Sequence, residues 1–197
     1  MQSSCSWLLL LLLGFAVAQA GDPAKDMDPS FTVGTYNLEG YIDVASPGRT
    51  LKTPASKAKI RESLRRMNAD ILAVQEIGRS SALDELRTQL KADGLDYPHS
   101  EHVAGWDTNI FVGVLSRFPI GARRPHTNEN FLLQGRRFQV SRGFAEVDIR
   151  VPPKYTLTLI TAHLKSRRTI TDADQAEMRA QEALRLRAII DAALERD

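Results

Sequence analysis

Apolar and polar positions along the chain switch between a period of two and a period near 3.6, which predicts strands and helices in mixed order. Phe31, Val33 and Thr35 alternate with Thr32, Gly34 and Tyr36, the pattern of a half-buried strand. Ile42 to Lys52 is rich in Ser, Pro, Gly and Thr and reads as a loop. Thr53 followed by Pro54 marks a helix start, hydroxyl as cap and proline in the first turn. That helix runs to about Asn68 and should bury Ile60, Leu64 and Met67. Ile71 to Val74 is wholly apolar, a short strand covered on both faces. Ser81 with Asp84 three residues later should open a second helix that Gly94 ends. Ile110 to Leu115 is another apolar strand, closed by Ser116-Arg117-Phe118-Pro119. Ala145, Val147, Ile149 and Val151 alternate with Glu146, Asp148 and Arg150, and Pro152-Pro153 turns the chain into Tyr155, Leu157 and Leu159. That pair predicts an antiparallel hairpin. Thr171 to Asp174 can cap a final helix with Ala176, Ala180, Ala183, Leu186 and Ile190 as its apolar stripe. This mixture predicts an α/β layered domain rather than a doubly wound nucleotide-binding fold, and there is no glycine-rich phosphate loop.

The N-terminus changes the compartment. Residues 1–20 contain no Asp, Glu, Lys or Arg, Trp7 to Val17 is continuously apolar, and Ala18-Gln19-Ala20 offers the small residues of a cleavage site. The stretch is short of the roughly 20 residues of a comfortable membrane span. A secretory signal over 1–20, a linker over 21–30 and one domain over 31–197 are expected. The protein would then be secreted or periplasmic, with no stable membrane span after cleavage and no obligate protein partner. The single cysteine is Cys5, so a processed chain has no disulfide and relies on its core. Net charge is only +2 and settles nothing about nucleic acid. The segment from Arg117 to Arg150 is locally basic: Arg117, Arg123, Arg124, Arg136, Arg137, Arg142 and Arg150 face Glu129, Glu146 and Asp148. Arginine-rich loops attract phosphate, and Arg142 is the leading candidate.

Candidate chemistry sits where apolar runs give out. Asn37 closes FTVGTYN, Glu76 closes DILAVQE, and His163 closes YTLTLITAH. Strands deliver such residues to a common rim. Amide and carboxylate oxygens suit a hard cation such as Mg²⁺ (or Mn²⁺), and an imidazole suits a phosphoryl oxygen or leaving group. Singly each has an ordinary reading: Asn37 as a turn residue, Glu76 in a salt bridge, His163 as a structural histidine. Together and in this order they point to metal-assisted phosphoester hydrolysis.

The blocks Thr35-Tyr36-Asn37, Asp70 to Glu76, Val114 to Ile120, Arg142-Gly143-Phe144 and Thr161 to Ser166 resemble those of the endonuclease/exonuclease/phosphatase superfamily. The resemblance implies a four-layer α/β sandwich of the deoxyribonuclease-like type, with its first half to two-thirds present. It implies Glu76 as the main metal-ligating carboxylate with Asn37 beside it, His163 meeting the scissile phosphate, and Arg142 facing that phosphate. Glu101 is its match for a glutamate that orients the histidine, with His102 as rival, and Asn109 would shape the rim. The substrate would be a phosphoester: nucleic acid, a phospholipid headgroup or a sugar phosphate.

Two family blocks, a Gly-Asp-Phe-Asn-like one that supplies an activating aspartate and a Ser-Asp-His-like one, have no counterpart here. An incomplete chain with little hydrolysis of its own, and an apolar sheet face left open, is the expectation. The alternative reading is a non-catalytic exported module that binds phosphate or polyanions through its arginines.

Overall fold

The computed structural model describes residues 30–166 and 175–196. The signal over 1–20, all of the linker but Ser30, and the Thr171 to Asp174 cap lie outside the described residues. The unit that carries the fold is Phe31–Asp197.

The first sheet has the order β1 (Val33–Tyr41), β2 (Ile71–Ile77), β4 (Phe111–Ser116), β3 (His99–Val103). The first two are parallel and the other neighbours antiparallel. Parallel neighbours need a crossover, and α1 (Pro54–Met67) supplies it. Thr53 caps that helix by accepting the Ser56 N–H at 3.1 Å, and Asn68 ends it in the left-handed region at φ 48°. The helix α2 (Ser80–Ala92) joins β2 to β3. Both helices cover one face of the sheet, setting Ile60, Leu64, Leu83, Leu86 and Leu90 against Leu72, Val74 and Leu115.

The second sheet has the order β5 (Ile120–His126), β8 (Phe144–Val151), β9 (Tyr155–Ala162). The expected hairpin is β8–β9, in register from Phe144↔Ala162 to Val151↔Tyr155. A small hairpin of β6 (Asn130–Leu133) and β7 (Arg136–Gln139) precedes it. Ile71, Val112 and Val114 pack against Ala145, Val147 and Ile149 between the sheets. On the far side α3 (Gln175–Leu194) sets Met178 and Ile189 against Phe131, Leu133 and Phe144. Three apolar cores therefore separate four layers, helix–sheet–sheet–helix, as the α/β sandwich requires.

Four expectations are corrected. Met67 is 38% exposed rather than buried, and it lies across Gly34, whose added Cβ would fall 2.4 Å from the thioether sulfur. The second helix starts at Ser80 rather than at a Ser81 cap: Arg79 holds the cap position without a side-chain bond, and the Ser81 hydroxyl donates to Asp43. Asn37 and Glu76 do not end their strands, which continue to Tyr41 and Ile77. The apolar stripe read for the last helix lies mostly on its exposed side: Ala176, Ala180, Ala183 and Ile190 face outward and Leu186 packs on the core only in part, while Gln175, Met178, Glu182, Ile189 and Ala193 are buried. Polar side chains within the buried stripe hid it.

Beside β9 the inter-sheet space is open. Val33 is 49% exposed and Tyr155 55%. A cleft of about 540 Å³ enters there between β1, β2 and β9.

Candidate active site at the sheet rim

Two β-bulges build the floor of the site. β1 and β2 run in register through Asn37↔Gln75, then shift, so that Tyr41 is next opposite Ile77. Glu39, Gly40 and Glu76 take up the extra length at φ 53°, 77° and 59°. Glu76 is skipped in both of its ladders. A non-glycine residue in the left-handed region costs roughly 1–3 kcal/mol and persists where its surroundings over-determine it. Asn37 does part of that work: its Oδ1 accepts the Glu39 N–H at 2.8 Å, and its Nδ2 donates to Glu76 Oε1 at 3.2 Å.

His163 follows the last residue of β9 and places Nε2 3.7 Å from Glu76 Oε1. Gln75 ties the two sheets beneath it, donating to the Thr35 hydroxyl at 3.0 Å and the Thr161 hydroxyl at 3.2 Å. Asn37, Glu76 and His163, each read from the end of a separate apolar run, meet at one point.

Burial pushes the His163 pKa below its ordinary value, and the Arg142 guanidinium pushes the same way against the opposing carboxylate of Glu76. His163 is therefore a neutral imidazole near neutral pH. Arg142 is 8% exposed and its Nε lies 3.4 Å from Asp107 Oδ2. Neither Nε nor Nη1 has a hydrogen-bond partner. Two glycines allow this packing: a Cβ on Gly105 would sit 2.4 Å from the Arg142 carbonyl carbon, and Gly143 holds φ +67°. From α3, Arg179 donates to the Lys165 carbonyl at 2.8 Å. The buried Glu182 accepts the Ser141 N–H at 2.9 Å and the Lys165 N–H at 2.5 Å. Arg49, from the loop after β1, brings Nη1 to 4.0 Å from Glu76 Oε2.

Other candidates lie elsewhere. Glu101 is not beside His163; it faces into the inter-sheet layer opposite Val114 and pairs with Arg123 at 2.7 Å. Burial raises its pKa despite that cation. The acidic groups near His163 are Glu76 and Asp107 instead. His102 bonds the Gly78 carbonyl at 2.8 Å and meets the Phe111 ring edge-on, a structural placement. Asn109 stands in an Asx turn on Asp107 and lines a separate small pocket with Asp43 and Arg79. Three arginines of the basic segment are paired internally away from the site: Arg117 with Asp70, Arg123 with Glu101, Arg124 with Glu146 and Asp148. Asp107, Arg49, Arg179 and Glu182 went unread in the sequence, since each reaches the site from a loop or helix with no local signature.

Among the described residues no group of three or more His, Cys, Asp or Glu side chains could hold a metal ion. The donors at the rim are one carboxylate, Glu76, and the Asn37 amide oxygen. That set fits Mg²⁺, which keeps several waters and takes one or two carboxylates plus substrate phosphate.

Known proteins share this architecture. The β-hairpin deletion mutant of β toxin from Staphylococcus aureus is 15% identical, with TM-score 0.57, covering 84% of this chain and 62% of that one. Sphingomyelinase C from Streptomyces griseocarneus is 22% identical, with TM-score 0.54 and coverages of 84% and 60%. An endonuclease/exonuclease/phosphatase from Beutenbergia cavernae DSM 12333 is 23% identical, with TM-score 0.52 and coverages of 79% and 42%. The chain thus spans about three-fifths or less of these structures. No curated protein matches it. Residues 34–196 match the model of the Endonuclease/Exonuclease/phosphatase family, and the chain belongs to that family.

Proposed function

We propose that the chain is the phosphate-binding part of an exported, divalent-metal-dependent phosphoester hydrolase. The observation that carries this is Arg142: a guanidinium buried near His163, with two nitrogens that lack hydrogen-bond partners. A buried unsatisfied donor costs about 1–3 kcal/mol, more when charged, and an anionic oxygen satisfies it in a charge-assisted bond.

Glu76 and Asn37 would hold Mg²⁺ (or Mn²⁺), which when bound polarises a phosphoryl oxygen. The chain's own residues bind and orient. Arg142 donates to a non-bridging phosphoryl oxygen and stabilises charge that develops on it. Asp107 fixes the guanidinium from behind. His163, neutral at ordinary pH, donates a ring N–H to a second phosphoryl oxygen or to the leaving group. Arg179, which lines the cleft below His163, adds positive potential. The proton of the attacking water needs a base, which the resemblance assigns to the Gly-Asp-Phe-Asn-like block. A general base typically contributes about 10²–10⁴-fold; the chain's own residues account for binding and orientation.

Mn²⁺ binding followed by electron paramagnetic resonance, and inorganic phosphate binding followed by ³¹P line broadening, test it without requiring turnover. Glu76→Gln should weaken Mn²⁺ at least tenfold, and Arg142→Ala should abolish phosphate binding while sparing the metal. Mn²⁺ binding indifferent to Glu76→Gln would overturn the reading.

A further inference from the structure

A second groove, of about 480 Å³, lies beside the rim site, with Trp106, Arg136, Arg137, Phe138, Lys165 and Met178 in its walls. Trp106 is 71% exposed, although burying such a ring is among the larger apolar gains available to a chain. Phe138 stacks on Phe131 at 6.0 Å, and the Arg136 guanidinium stands 5.3 Å from its ring centroid. Three cations thus gather round an exposed aromatic face, and no Asp or Glu lines the groove. Arg117, Arg123, Arg124 and Arg142 are paired with carboxylates; here Arg136 rests on an aromatic ring instead.

The groove is tied to the site through the backbone. Trp106 precedes Asp107, the partner of Arg142; Ser141, which also lines the groove, precedes Arg142 itself. Lys165 follows His163 by two residues, roughly 7 Å along an extended chain. A ligand with its phosphorus at Arg142 and His163 would have its neighbouring unit at this groove.

We infer that the groove is a subsite for one nucleotide of a single-stranded nucleic acid, adjoining the phosphodiester held at the rim. The base stacks on Trp106, and flanking phosphates meet Arg136, Arg137 and Lys165. Stacking platforms between cations are how single strands are gripped without base-specific bonds. The inference rests on the phosphoester reading above and narrows it to a nucleic-acid substrate.

The test uses the full chain carrying Trp7→Phe, which leaves Trp106 as the only tryptophan of two. Ten-residue oligothymidylate is titrated in EDTA, so that neither metal nor hydrolysis enters. Saturable quenching of Trp106 fluorescence is expected. By anisotropy with labelled oligonucleotide, Trp106→Ala should weaken binding about 5–150-fold, from the roughly 1–3 kcal/mol of one stacked base. Arg136→Ala with Arg137→Ala should lower the salt slope by about 1.4, at about 0.7 per phosphate contact on single strands. An abasic oligonucleotide should bind the parent as weakly as oligothymidylate binds Trp106→Ala. Unquenched fluorescence, or equal affinity for the abasic strand, overturns the inference. So does a response to anionic phospholipid vesicles with none to the oligonucleotide. If binding fails while Glu76-dependent Mn²⁺ binding holds, the subsite alone falls; if the reverse, the groove stands and the hydrolase reading falls.

Discussion

Glu182 is the residue whose removal reports most directly on how the site is held. Its side chain is fully buried on α3, and it accepts one N–H next to Arg142 and another two residues beyond His163. One carboxylate therefore pins both segments that carry the groups proposed to face phosphate. Glu182→Ala leaves one buried and one part-buried amide donor without acceptors, at about 1–3 kcal/mol each when fully buried. Relief of the carboxylate's own desolvation offsets part of this. The net loss is about 3 kcal/mol, or roughly 6–12 °C in Tm for a chain of this size. Glu182→Gln retains one acceptor oxygen and should lose about half as much. Urea denaturation measures the totals, and amide hydrogen exchange measures where they arise. The Ser141 and Lys165 amides should lose protection at least tenfold beyond the global change in Glu182→Ala. Equal protection of both amides in parent and variant would refute the clamp, whatever happened to overall stability.

His163 should titrate below its ordinary value, from burial first and Arg142 second, so Arg142→Ala should raise its pKa and Glu76→Gln should lower it; histidine NMR titration reads both signs. Because the folded value is depressed, its contribution to stability is complete above about pH 6.5 and is lost as pH falls through the folded pKa. Asp70 is also depressed: burial pushes it up, but the Thr32 N–H, the Arg117 guanidinium and the Thr32 hydroxyl outweigh burial. Its stabilisation is present above its ordinary value near 4 and is lost below it, so Asp70→Asn should flatten the acid limb of a stability–pH curve. Gly105→Ala meets backbone atoms at 2.4 Å and should cost several kcal/mol in urea unfolding, whereas Gly135→Ala, with open space at φ +76°, should cost about 1 kcal/mol.

The elements that the sequence made legible are those whose side chains face apolar layers. α1, β2, β4 and the β8–β9 hairpin show the proper period because the cores demand it. β3 and β5 do not show it, and the reason is chemical. β3 reads His-Ser-Glu-His-Val, and β5 carries Arg123, Arg124 and Pro125. Both are edge strands whose polar groups are met by ion pairs: Glu101 with Arg123, Arg124 with Glu146 and Asp148. Proline is tolerated at an edge, where a missing N–H breaks no ladder. The same pairing misplaced Glu101. The resemblance put Glu101 beside His163, but facing Val114 turns it into the inter-sheet layer, away from that histidine. Register, which no local pattern announces, decides that direction.

The bulges at the rim do leave a trace in the sequence, at a spacing that strict alternation overlooks. On β1 the helix-side core takes Tyr36, Leu38 and then Tyr41; on β2 it takes Leu72, Val74 and then Ile77. In both strands a step of two is followed by a step of three. With period two throughout, Tyr41 and Ile77 would point into the space between the sheets. One extra residue per strand returns them to the helix-side core, where each is fully buried. Burying such a side chain is worth about 1.5–3 kcal/mol, comparable with the roughly 1–3 kcal/mol of a left-handed non-glycine residue. Core packing beyond the bulges thus sustains the strain at Glu39 and Glu76. In β2 the inserted residue is Glu76 itself, so the apolar spacing that closes the core is also what turns the carboxylate toward Asn37 and His163.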